Sequence, residues 1–274
     1  MKLVTIRTEN GTRAAIDFES HYRLTPYGDV AELLRAVEGD VQAIADIMVD
    51  ERVAKDDVAY APTVVTPTKV ICLGLNYADH VAEMGRKDAG FPTLFGKFPD
   101  TLCGPYDDIA HPLETSAMDW EAELGVVIGR SAYRVEPESA EEHIAGFVVT
   151  NDISMRDFQN RTTQFLQGKM FERTTPVGPH LVTPDEVDGA RDLWIRCRVD
   201  GEVMQESRTS LLISSIAAAI SYISMIITLR PGDLILTGTP SGVGAGRNPK
   251  VFLRPGNVVE TEIEGVGSLR NRIC

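Results

Sequence analysis

The chain has 274 residues, of which 43% are hydrophobic and 24% are charged. This is the composition of a globular protein, and it excludes a disordered or collagen-like chain. With 27 basic and 40 acidic residues, the formal net charge is −13. Such an acidic surface repels nucleic-acid phosphates and anionic lipids, so the sequence predicts no nucleic-acid partner and no membrane partner.

The amino-terminal residues predict a small α/β domain. A strand at Lys2–Arg7 and a turn at Asn10-Gly11 precede a helical stretch at Val30–Asp50. Apolar residues recur in that stretch at helical spacing: Leu33, Leu34, Val37, Val41, Ile44 and Ile47. The segment Ala61–Thr68 has two prolines and no helical pattern, which is typical of a linker. We therefore expect one domain over residues 1–65 and a second over residues 66–274.

The second domain is rich in strand patterns. Strands are predicted at Val70–Leu75, Leu124–Ile128, Gly146–Thr150, Leu193–Val199, Leu234–Thr237, Val258–Ile263 and Leu269–Ile273. Helical patterns are fewer and occur at Asn76–Met84, Ala140–Ile144 and Ser210–Ile227. Strands in groups with sparse helices indicate an α+β fold rather than a regular βαβ alternation.

One apolar segment is about long enough to span a bilayer. Thr209–Leu229 carries no charged residue. Its hydroxyl side chains nevertheless fall in one narrow sector of a helical wheel: Ser210, Ser214, Ser221, Ser224 and Thr228. A lipid-facing helix has no use for such a stripe, whereas a helix packed on a sheet or a subunit tolerates it. The segment therefore predicts a buried helix of a globular protein.

The cysteines and the first residues indicate a cytoplasmic protein. The four cysteines are widely spaced and form no C-x-x-C pair: Cys72, Cys103, Cys197 and Cys274. This spacing favours reduced thiols. Arg7 and Glu9 lie where a secretory signal would need an apolar core, so we expect no such signal.

Several common catalytic motifs are absent from the sequence. It contains no G-x-S-x-G, no H-E-x-x-H and no G-x-x-x-x-G-K-[ST]. Gly242, Gly244 and Gly246 follow a predicted strand, but the next residues, 247–249, do not open the helix that a dinucleotide site requires. Serine-hydrolase, zincin, P-loop and Rossmann sites are therefore disfavoured.

Three carboxylates offer the ligands of a hard cation. Glu121 and Glu123 alternate with apolar residues, so a strand would place both on one face. Asp152 follows another apolar strand. Together they form an incomplete oxygen shell for Mg²⁺, with Mn²⁺ or Ca²⁺ as alternatives. From spacing alone, however, a solvated pair of glutamates on an exposed strand is the more frequent explanation.

Other side chains are suited to acid–base chemistry and substrate binding. A helix after Val70–Leu75 would place His80 and Glu83 on one face, where the carboxylate fixes the imidazole tautomer; an exposed ion pair is the alternative. Arg156, Gln159 and Lys169 suit a substrate carboxylate, although each singly is more often a surface residue. The loop Gly238–Gly244 could bind an oxyanion or be a plain turn.

Taken together, these segments resemble the fumarylacetoacetate hydrolase family. The segments GLNYADHVAEMG, DWEAELGVVIG, AGFVVTNDISMRD, PGDLILTGTPSGVG and LRPGNVVETEIEGVGSLRNRI stand in the family's order, from about residue 69 to the C-terminus. The resemblance implies a mixed β-roll catalytic domain, a homodimer and one divalent metal ion per subunit. The amino-terminal unit looks like the small extra domain that many bacterial members carry.

The resemblance also assigns roles to side chains. It overturns the exposed-strand explanation and implies metal ligation by Glu121, Glu123 and Asp152. It implies a dyad on a lid segment, His80 and Glu83, that activates water, with Lys169 stabilising an oxyanion. Four further residues match positions that hold the substrate: Arg156, Gln159, Thr239 and Lys97.

The implied substrates are small oxo acids of the acylpyruvate type, such as fumarylpyruvate or acetylpyruvate. Hydrolysis of a carbon–carbon bond would give pyruvate and a carboxylic acid, and the dyad favours this reaction. Oxaloacetate decarboxylation and isomerisation or tautomerisation of 2-hydroxy-dienoates in aromatic-compound catabolism use the same enolate and are alternatives. A non-catalytic dimer that holds a structural ion is an alternative of another class.

Overall fold

The computed structural model describes residues 1–47, 49–86 and 90–274. Within these residues the strands are β1 Lys2–Thr8, β2 Gly11–Asp17, β3 His21–Leu24, β4 Arg52–Ala54, β5 Ala59–Tyr60, β6 Val70–Gly74, β7 Thr93–Lys97, β8 Leu102–Cys103, β9 Met118–Asp119, β10 Ala122–Ile128, β11 Ile144–Asn151, β12 Ser154–Met155, β13 Thr175–Val182, β14 Trp194–Val199, β15 Glu202–Arg208, β16 Leu234–Leu236, β17 Val258–Ile263 and β18 Gly267–Arg272. The α-helices are α1 Val30–Ala36, α2 Ala78–Glu83, α3 Arg156–Gln159, α4 Leu166–Lys169 and α5 Ile216–Ile226.

A long mixed sheet organises the fold. Ten strands follow the order β4-β3-β2-β1-β13-β11-β10-β16-β6-β7, while β5 pairs with β1 and β8 pairs with β13. The pairs β6–β16 and β8–β13 are parallel and the other pairs are antiparallel. A second sheet has the order β15-β14-β17-β18. Strands therefore dominate over short helices, and the predicted α+β class is confirmed.

Strand β10 separates two hydrophobic cores. Leu124 and Val126 pack in a core that also contains residues of the second sheet and of α5. Val127 belongs to the other core, which α1 covers. This alternation is the one expected of a strand buried on both faces. The same alternation places Glu123, and Glu121 just before the strand, on the face of β10 to which Val127 belongs.

The amino-terminal strands belong to the same long sheet. Lys2 and Leu3 of β1 pair with Val182 and Leu181 of β13. Leu3, together with buried residues of α1, shares a core with Val177 of β13. The boundary expected near residue 65 stays a prediction, and the contacts across it are those of one continuous sheet and core.

The helical stretch predicted at Val30–Asp50 is interrupted. Helix α1 begins at the Asp29 cap, whose carboxylate accepts from the Glu32 amide at 2.6 Å, and it ends at Ala36. Glu38 and Gly39 then take positive φ angles of 50° and 78°, and the Gly39 amide bonds to Leu34 O at 3.0 Å. This left-handed closure ends an α-helix, so residues 41–47 form a separate 3₁₀ turn. Met48 of the predicted stretch lies outside the described residues.

The predicted helix Ser210–Ile227 begins later than its sequence pattern indicates. The Ser215 hydroxyl accepts from the Ala218 amide at 3.3 Å and caps α5, so the α-helix begins at Ile216. Ser224 is buried, as expected for the hydroxyl sector, but Ile226 is 64% exposed. Across the described ranges, no helix is long and apolar enough to cross a membrane.

The helix predicted at Ala140–Ile144 is not an α-helix. Residues Pro137–His143 form a 3₁₀ helix, and Ile144 already begins β11. By contrast, each strand predicted in the second domain coincides with an observed strand to within two residues at each end. Strand patterns, both those of strands buried on both faces and those of strands with alternating burial, gave the stronger sequence signal.

Candidate active site

The pairing of two central strands brings the three predicted carboxylates together. Ala122 of β10 lies opposite Asn151 of β11, and the Asp152 amide donates to Glu121 O at 2.8 Å. One oxygen each of Glu121, Glu123 and Asp152 lies within 4.8 Å of the others. All three residues are at most 4% exposed, so a solvated edge strand is excluded.

Two carboxylates of this trio have cationic partners. Lys169 Nζ contacts Glu121 and lies 2.9 Å from Asp152 Oδ2. Arg156 Nη1 lies 2.6 Å from Glu121 Oε1. Burial alone would raise the pKa of Glu121, but the charges of Lys169 and Arg156 outweigh it and lower the pKa to about 2. Glu121 is therefore ionised at neutral pH.

Glu123 differs, because no lysine, arginine or histidine of the described ranges forms an ion pair with it. Its Oε2 accepts from the Gly238 amide at 2.8 Å. Burial, followed by the charges of Asp152 and Glu121, raises the pKa of Glu123 well above its usual range. A divalent cation among the three oxygens would remove this penalty. The all-carboxylate donor set therefore fits a hard cation such as Mg²⁺ or Mn²⁺.

Lys97 lies behind the trio. Its buried Nζ contacts Asp152 Oδ1, and the side chain does not line the site cavity. The geometry suits a residue that orients Asp152, whereas the sequence predicted a contact with substrate. Lys169, in contrast, lines the cavity. Burial lowers the pKa of Lys169, but Asp152 and Glu121 outweigh this effect and raise it, so the group stays a cation.

The predicted dyad lies on α2 at the cavity wall. His80 Nδ1 lies 3.1 Å from Glu83 Oε2. A carboxylate can only accept, so Nδ1 carries the proton and Nε2 keeps the lone pair of a base. His80 lines the cavity and is 4% exposed. Because both side chains are largely buried, the exposed ion pair is the weaker explanation.

Helix α2 is fastened to the loop of residues 238–246. Glu83 Oε1 accepts from the Gly242 amide at 2.9 Å, and Asp79 Oδ2 accepts from Ser241 Oγ at 2.7 Å. The Gly238 and Gly242 amides are thus occupied by protein carboxylates. The loop holds the site together, and its amides at these two positions are not available to an oxyanion.

Arg156 and Gln159 form the opposite wall of the cavity. Arg156 Nε donates to Asp119 Oδ2 at 2.8 Å, and Nη1 donates to Gln159 Oε1 at 3.0 Å. Within the described ranges, the buried Nη2 has no hydrogen-bond partner. Burial would lower the pKa of Arg156, but the charges of Glu121 and Asp119 outweigh it and raise it. A free donor on a permanent cation suits an anionic group of a ligand.

Thr239 completes the ring of polar groups. Its hydroxyl oxygen accepts from Gln205 Nε2 at 2.7 Å, so the hydroxyl hydrogen remains available to a ligand. Gln205 Oε1 in turn accepts from the Ala122 amide at 3.0 Å. Gln205 lies on β15 of the second sheet, and nothing in the sequence near it indicated a link to the site.

Asp119 is a second residue that sequence reasoning missed. It is fully buried, and it binds Arg156 as well as the Gly244 amide at 2.7 Å and the Ala245 amide at 3.0 Å. Its place two residues before Glu121 was the available signal. It does not line the cavity, and its bond to Arg156 fixes the guanidinium.

These groups surround a cavity of about 40 Å³. The polar lining comprises His80, Arg86, Glu121, Arg156, Gln159, Asn160, Lys169 and Thr239. The apolar lining comprises Leu75, Met84, Phe95 and Phe165. The cavity therefore joins an imidazole, cations and the Glu121 carboxylate of the trio in one small space.

Comparison with known proteins finds a matching family and similar solved structures. Residues 69–274 match the family described as fumarylacetoacetate (FAA) hydrolase C-terminal. A mitochondrial oxaloacetate tautomerase of Bos taurus is 44% identical over 221 residues, covering 80% of this chain and 70% of that protein. The fold superposes with a TM-score of 0.88 on a fumarylacetoacetate hydrolase from Exiguobacterium antarcticum, at 34% identity over 100% of this chain and 99% of that one.

A third similar protein was solved with ligands. It is the fumarylpyruvate hydrolase from Pseudomonas aeruginosa in complex with Mn²⁺ and pyruvate. The TM-score is 0.70 and the identity 33%, over 82% of this chain and 92% of that one. The family match covers most of this chain, and four of the five segments that carried the resemblance contribute residues to the site described above. The chain belongs to the fumarylacetoacetate hydrolase family.

Proposed function

We propose that this chain is a metal-dependent enzyme that interconverts the keto and enol forms of a short 2-oxo acid such as oxaloacetate. The observation that carries the proposal is the His80 base, whose Nδ1 is fixed by Glu83 beside a buried carboxylate trio. The oxaloacetate tautomerase of Bos taurus, at 44% identity, supports the choice of substrate.

The lining of the cavity supports a polar substrate. Eight polar side chains line it, among them His80, Arg156 and Lys169, and four apolar side chains, including Phe95 and Phe165, complete the lining. An oxo acid, which is rich in oxygen atoms, suits this lining.

The carboxylate trio would hold the metal ion. Mg²⁺ or Mn²⁺ bound by Glu121, Glu123 and Asp152 would supply Lewis-acid stabilisation to an enolate. Arg156 Nη2 and the Thr239 hydroxyl, each with a free hydrogen, would hold the substrate's carboxylate.

The dyad would move the proton. His80 Nε2 takes a proton from the carbon next to the 2-oxo group, and Glu83 stabilises the imidazolium that forms. The same nitrogen then returns the proton to the enolate oxygen, which gives the enol. The Lys169 ammonium, fixed by Glu121 and Asp152, would stabilise the developing negative charge by about 2–4 kcal/mol.

Hydrolysis of an acylpyruvate is the second candidate. The intact His80–Glu83 dyad would equally deprotonate a water molecule, and the Pseudomonas aeruginosa relative is a fumarylpyruvate hydrolase. Oxaloacetate decarboxylation passes through the same type of enolate. The reactions differ in whether a carbon–carbon bond breaks, which an assay measures directly.

The test uses purified protein with Mg²⁺ or Mn²⁺ and three substrates. Oxaloacetate is followed by the absorbance of its enol and by release of CO₂, and fumarylpyruvate and acetylpyruvate are followed by release of pyruvate. We expect faster keto–enol interconversion that EDTA abolishes. Cleavage of the acylpyruvates with no effect on the oxaloacetate enol would establish the hydrolase instead. A metal-dependent rise in melting temperature without turnover of any substrate would indicate a structural ion.

We also propose that the chain forms a homodimer. Exposed apolar residues lie just before α5, at Leu211 and Ile213, and at its C-terminal end, at Met225, Ile226 and Ile227, each at least 43% exposed. Exposed apolar residues in such a group are typical of a protein interface. A second copy of the chain is the partner that we expect.

A further inference from the structure

The site cavity contains a cation that none of the roles above uses. Arg86 lines the cavity together with His80 and Arg156, and it is exposed, so it lies at the mouth. It follows α2 by three residues. The sequence offered no motif at this position.

The backbone fixes Arg86 relative to the base. Gly85 has a φ of +62°, and its amide bonds to Ala82 O at 3.0 Å. The Arg86 amide bonds to Val81 O, also at 3.0 Å. This pair of bonds is the glycine-dependent closure of a helix C-terminus. The chain therefore turns at Gly85, and the Arg86 backbone lies against the helix that carries His80.

The other cations of the site are neutralised by protein carboxylates. Arg156 pairs with Asp119 and Glu121, and Lys169 pairs with Glu121 and Asp152. Lys97 pairs with Asp152. For Arg86, residues 1–47, 49–86 and 90–274 provide no ion pair and no side-chain hydrogen bond. Its charge is therefore available to a ligand.

Two guanidinium groups with free donors thus line one short cavity. Arg156 lines the cavity and has a buried, unpartnered Nη2, while Arg86 lies at the mouth. A planar guanidinium binds a carboxylate through two parallel hydrogen bonds. Because Arg86 and Arg156 line the same cavity, one small ligand with two carboxylates can contact both of them.

We propose that Arg86 binds the second carboxylate of the substrate and makes the site selective for short 2-oxo dicarboxylates over monocarboxylates. This inference rests on the proposed function for the position of the first carboxylate. It assigns to Arg86 a role in specificity, and the proton transfer stays with His80. The guanidinium at the mouth also attracts dianions to an otherwise acidic protein.

The experiment compares binding of malate and lactate, which differ by one carboxylate and require no turnover. Calorimetry with Mn²⁺ present measures both affinities for the wild type and for Arg86→Met. Methionine keeps an unbranched apolar stem and removes the charge. We expect the wild type to bind malate roughly tenfold more tightly than lactate and the variant to lose this preference. Arg86→Lys should restore part of it.

Arg130→Met is the matched control. Arg130 is an exposed arginine just beyond the end of β10 that is remote from Glu121, and it does not line the cavity. This variant should keep the malate preference. The preference of the wild type should also weaken as ionic strength rises, because Arg86 is exposed.

The two proposals fail in different ways. If Arg86→Met keeps the full preference, or if the wild type shows none, the role of Arg86 is wrong whatever the enzyme catalyses. If the preference depends on Arg86 but no substrate of the panel above turns over, the proposed function is wrong and the dicarboxylate site stands.

Discussion

At the scale of one residue, the buried Glu123 carboxylate lowers the stability of the folded protein and favours the binding of a cation. Lys169 and Arg156 compensate the buried charge of Glu121, whereas Glu123 has the Gly238 amide as its hydrogen-bond donor. A buried carboxylate next to two others disfavours the folded state when all are ionised. The same repulsion prepares the three oxygens for a divalent cation.

Glu123→Gln should therefore stabilise the metal-free protein and weaken metal binding. The pKa of Glu123 is higher in the folded protein than in the unfolded chain. The folded state therefore loses stability as the pH rises from the unfolded-state pKa of this carboxyl toward its folded-state pKa. The variant lacks this loss, so its melting temperature in EDTA should exceed that of the wild type by a margin that grows with pH. Its affinity for Mn²⁺ should fall at least about tenfold, measured by calorimetry.

The exposed Glu202 on β15 provides the control. Glu202→Gln should change neither the melting temperature in EDTA nor the Mn²⁺ affinity. A Glu123→Gln protein that binds Mn²⁺ as tightly as the wild type would exclude Glu123 as a ligand.

His80 gives the second prediction at this scale. His80→Gln removes the base but keeps a polar side chain, and the turnover rate should fall by about 10²–10⁴-fold because general-base catalysis supplies that factor. The Mn²⁺ affinity should change little, since His80 is outside the carboxylate trio.

His143→Gln is the matched control, because His143 is half-buried at the end of the 3₁₀ helix Pro137–His143 and does not line the cavity. It should retain full turnover. If His80→Gln did so as well, a base other than His80 would have to act.

At the scale of elements, the contact between α2 and the loop of residues 238–246 decides whether the dyad is in place. Glu83 accepts a hydrogen bond from the Gly242 amide. A Cβ atom at Gly246 would collide with the Glu83 side chain. Gly246 is therefore needed for close approach. Its φ does not lie in the left-handed region, so space rather than backbone conformation requires the glycine.

Gly246→Ala should lower turnover with little loss of stability. The methyl group displaces the flexible Glu83 side chain. The Glu83 carboxylate then no longer fixes the tautomer of His80. We expect a loss of turnover of about tenfold or more, with a melting temperature close to that of the wild type. Activity assays and thermal unfolding check the two parts.

Gly96→Ala is the matched control. A Cβ at Gly96 of β7 would meet only the Val70 carbonyl oxygen, at 3.8 Å, which is an ordinary contact. A Gly246→Ala protein with normal turnover would show that Glu83 does not need this position.

At the scale of the whole molecule, the amino-terminal strands are tied to the second domain by more than the sheet. Asp107 accepts from Arg7 of β1 at 2.9 and 2.7 Å and from the Gly104 amide at 2.8 Å. Arg173 adds a further contact at 2.8 Å. Burial alone would raise the pKa of Asp107, but Arg7 and the Gly104 amide outweigh it and lower the pKa. This carboxylate therefore joins three parts of the chain.

Asp107→Asn should lower the free energy of unfolding at pH 7 by about 1–2 kcal/mol, because Arg7 is partly exposed and solvent screens the pair. The pKa of Asp107 is lower in the folded protein than in the unfolded chain, so its contribution to the free energy of unfolding is fully present above the unfolded-state pKa. This contribution is lost as the pH falls through the folded-state pKa. The difference between variant and wild type should thus shrink below about pH 4.

Thermal unfolding across this pH range measures the difference. The neighbouring Asp108 is exposed, and Asp108→Asn is the control. Equal melting temperatures of the two variants at pH 7 would exclude a stabilising role for Asp107.

The proposed dimer is tested on the same scale. Ile226→Lys places a charge among the exposed apolar residues at the C-terminal end of α5 and should shift the protein to monomer, because an unpaired charge in an interface is costly. Analytical ultracentrifugation measures the change. Val203→Lys, at a 45% exposed position on β15, should leave the oligomeric state unchanged. A wild type that is already a monomer would contradict the proposal.

From the amino-acid sequence alone, the family, the strand positions of the second domain and the three carboxylates of the candidate metal site could be predicted. Glu121 and Glu123 alternate with apolar residues, and this period of two is a local property that survives folding. The helices were less predictable. Gly39 ends α1, and the cap at Ser215 delays α5, since single local bonds override an apolar pattern that continues beyond them.

Only the tertiary structure decided which distant groups meet. Gln205 reaches Thr239 from the second sheet, Asp119 fixes Arg156, and Lys97 lies against Asp152 rather than at the cavity. Arg86 lies at the cavity mouth because the chain closes against α2 through the Gly85 and Arg86 amides. Such contacts depend on strand order and on chain closures, whereas sequence spacing fixes only the neighbours along one strand or helix.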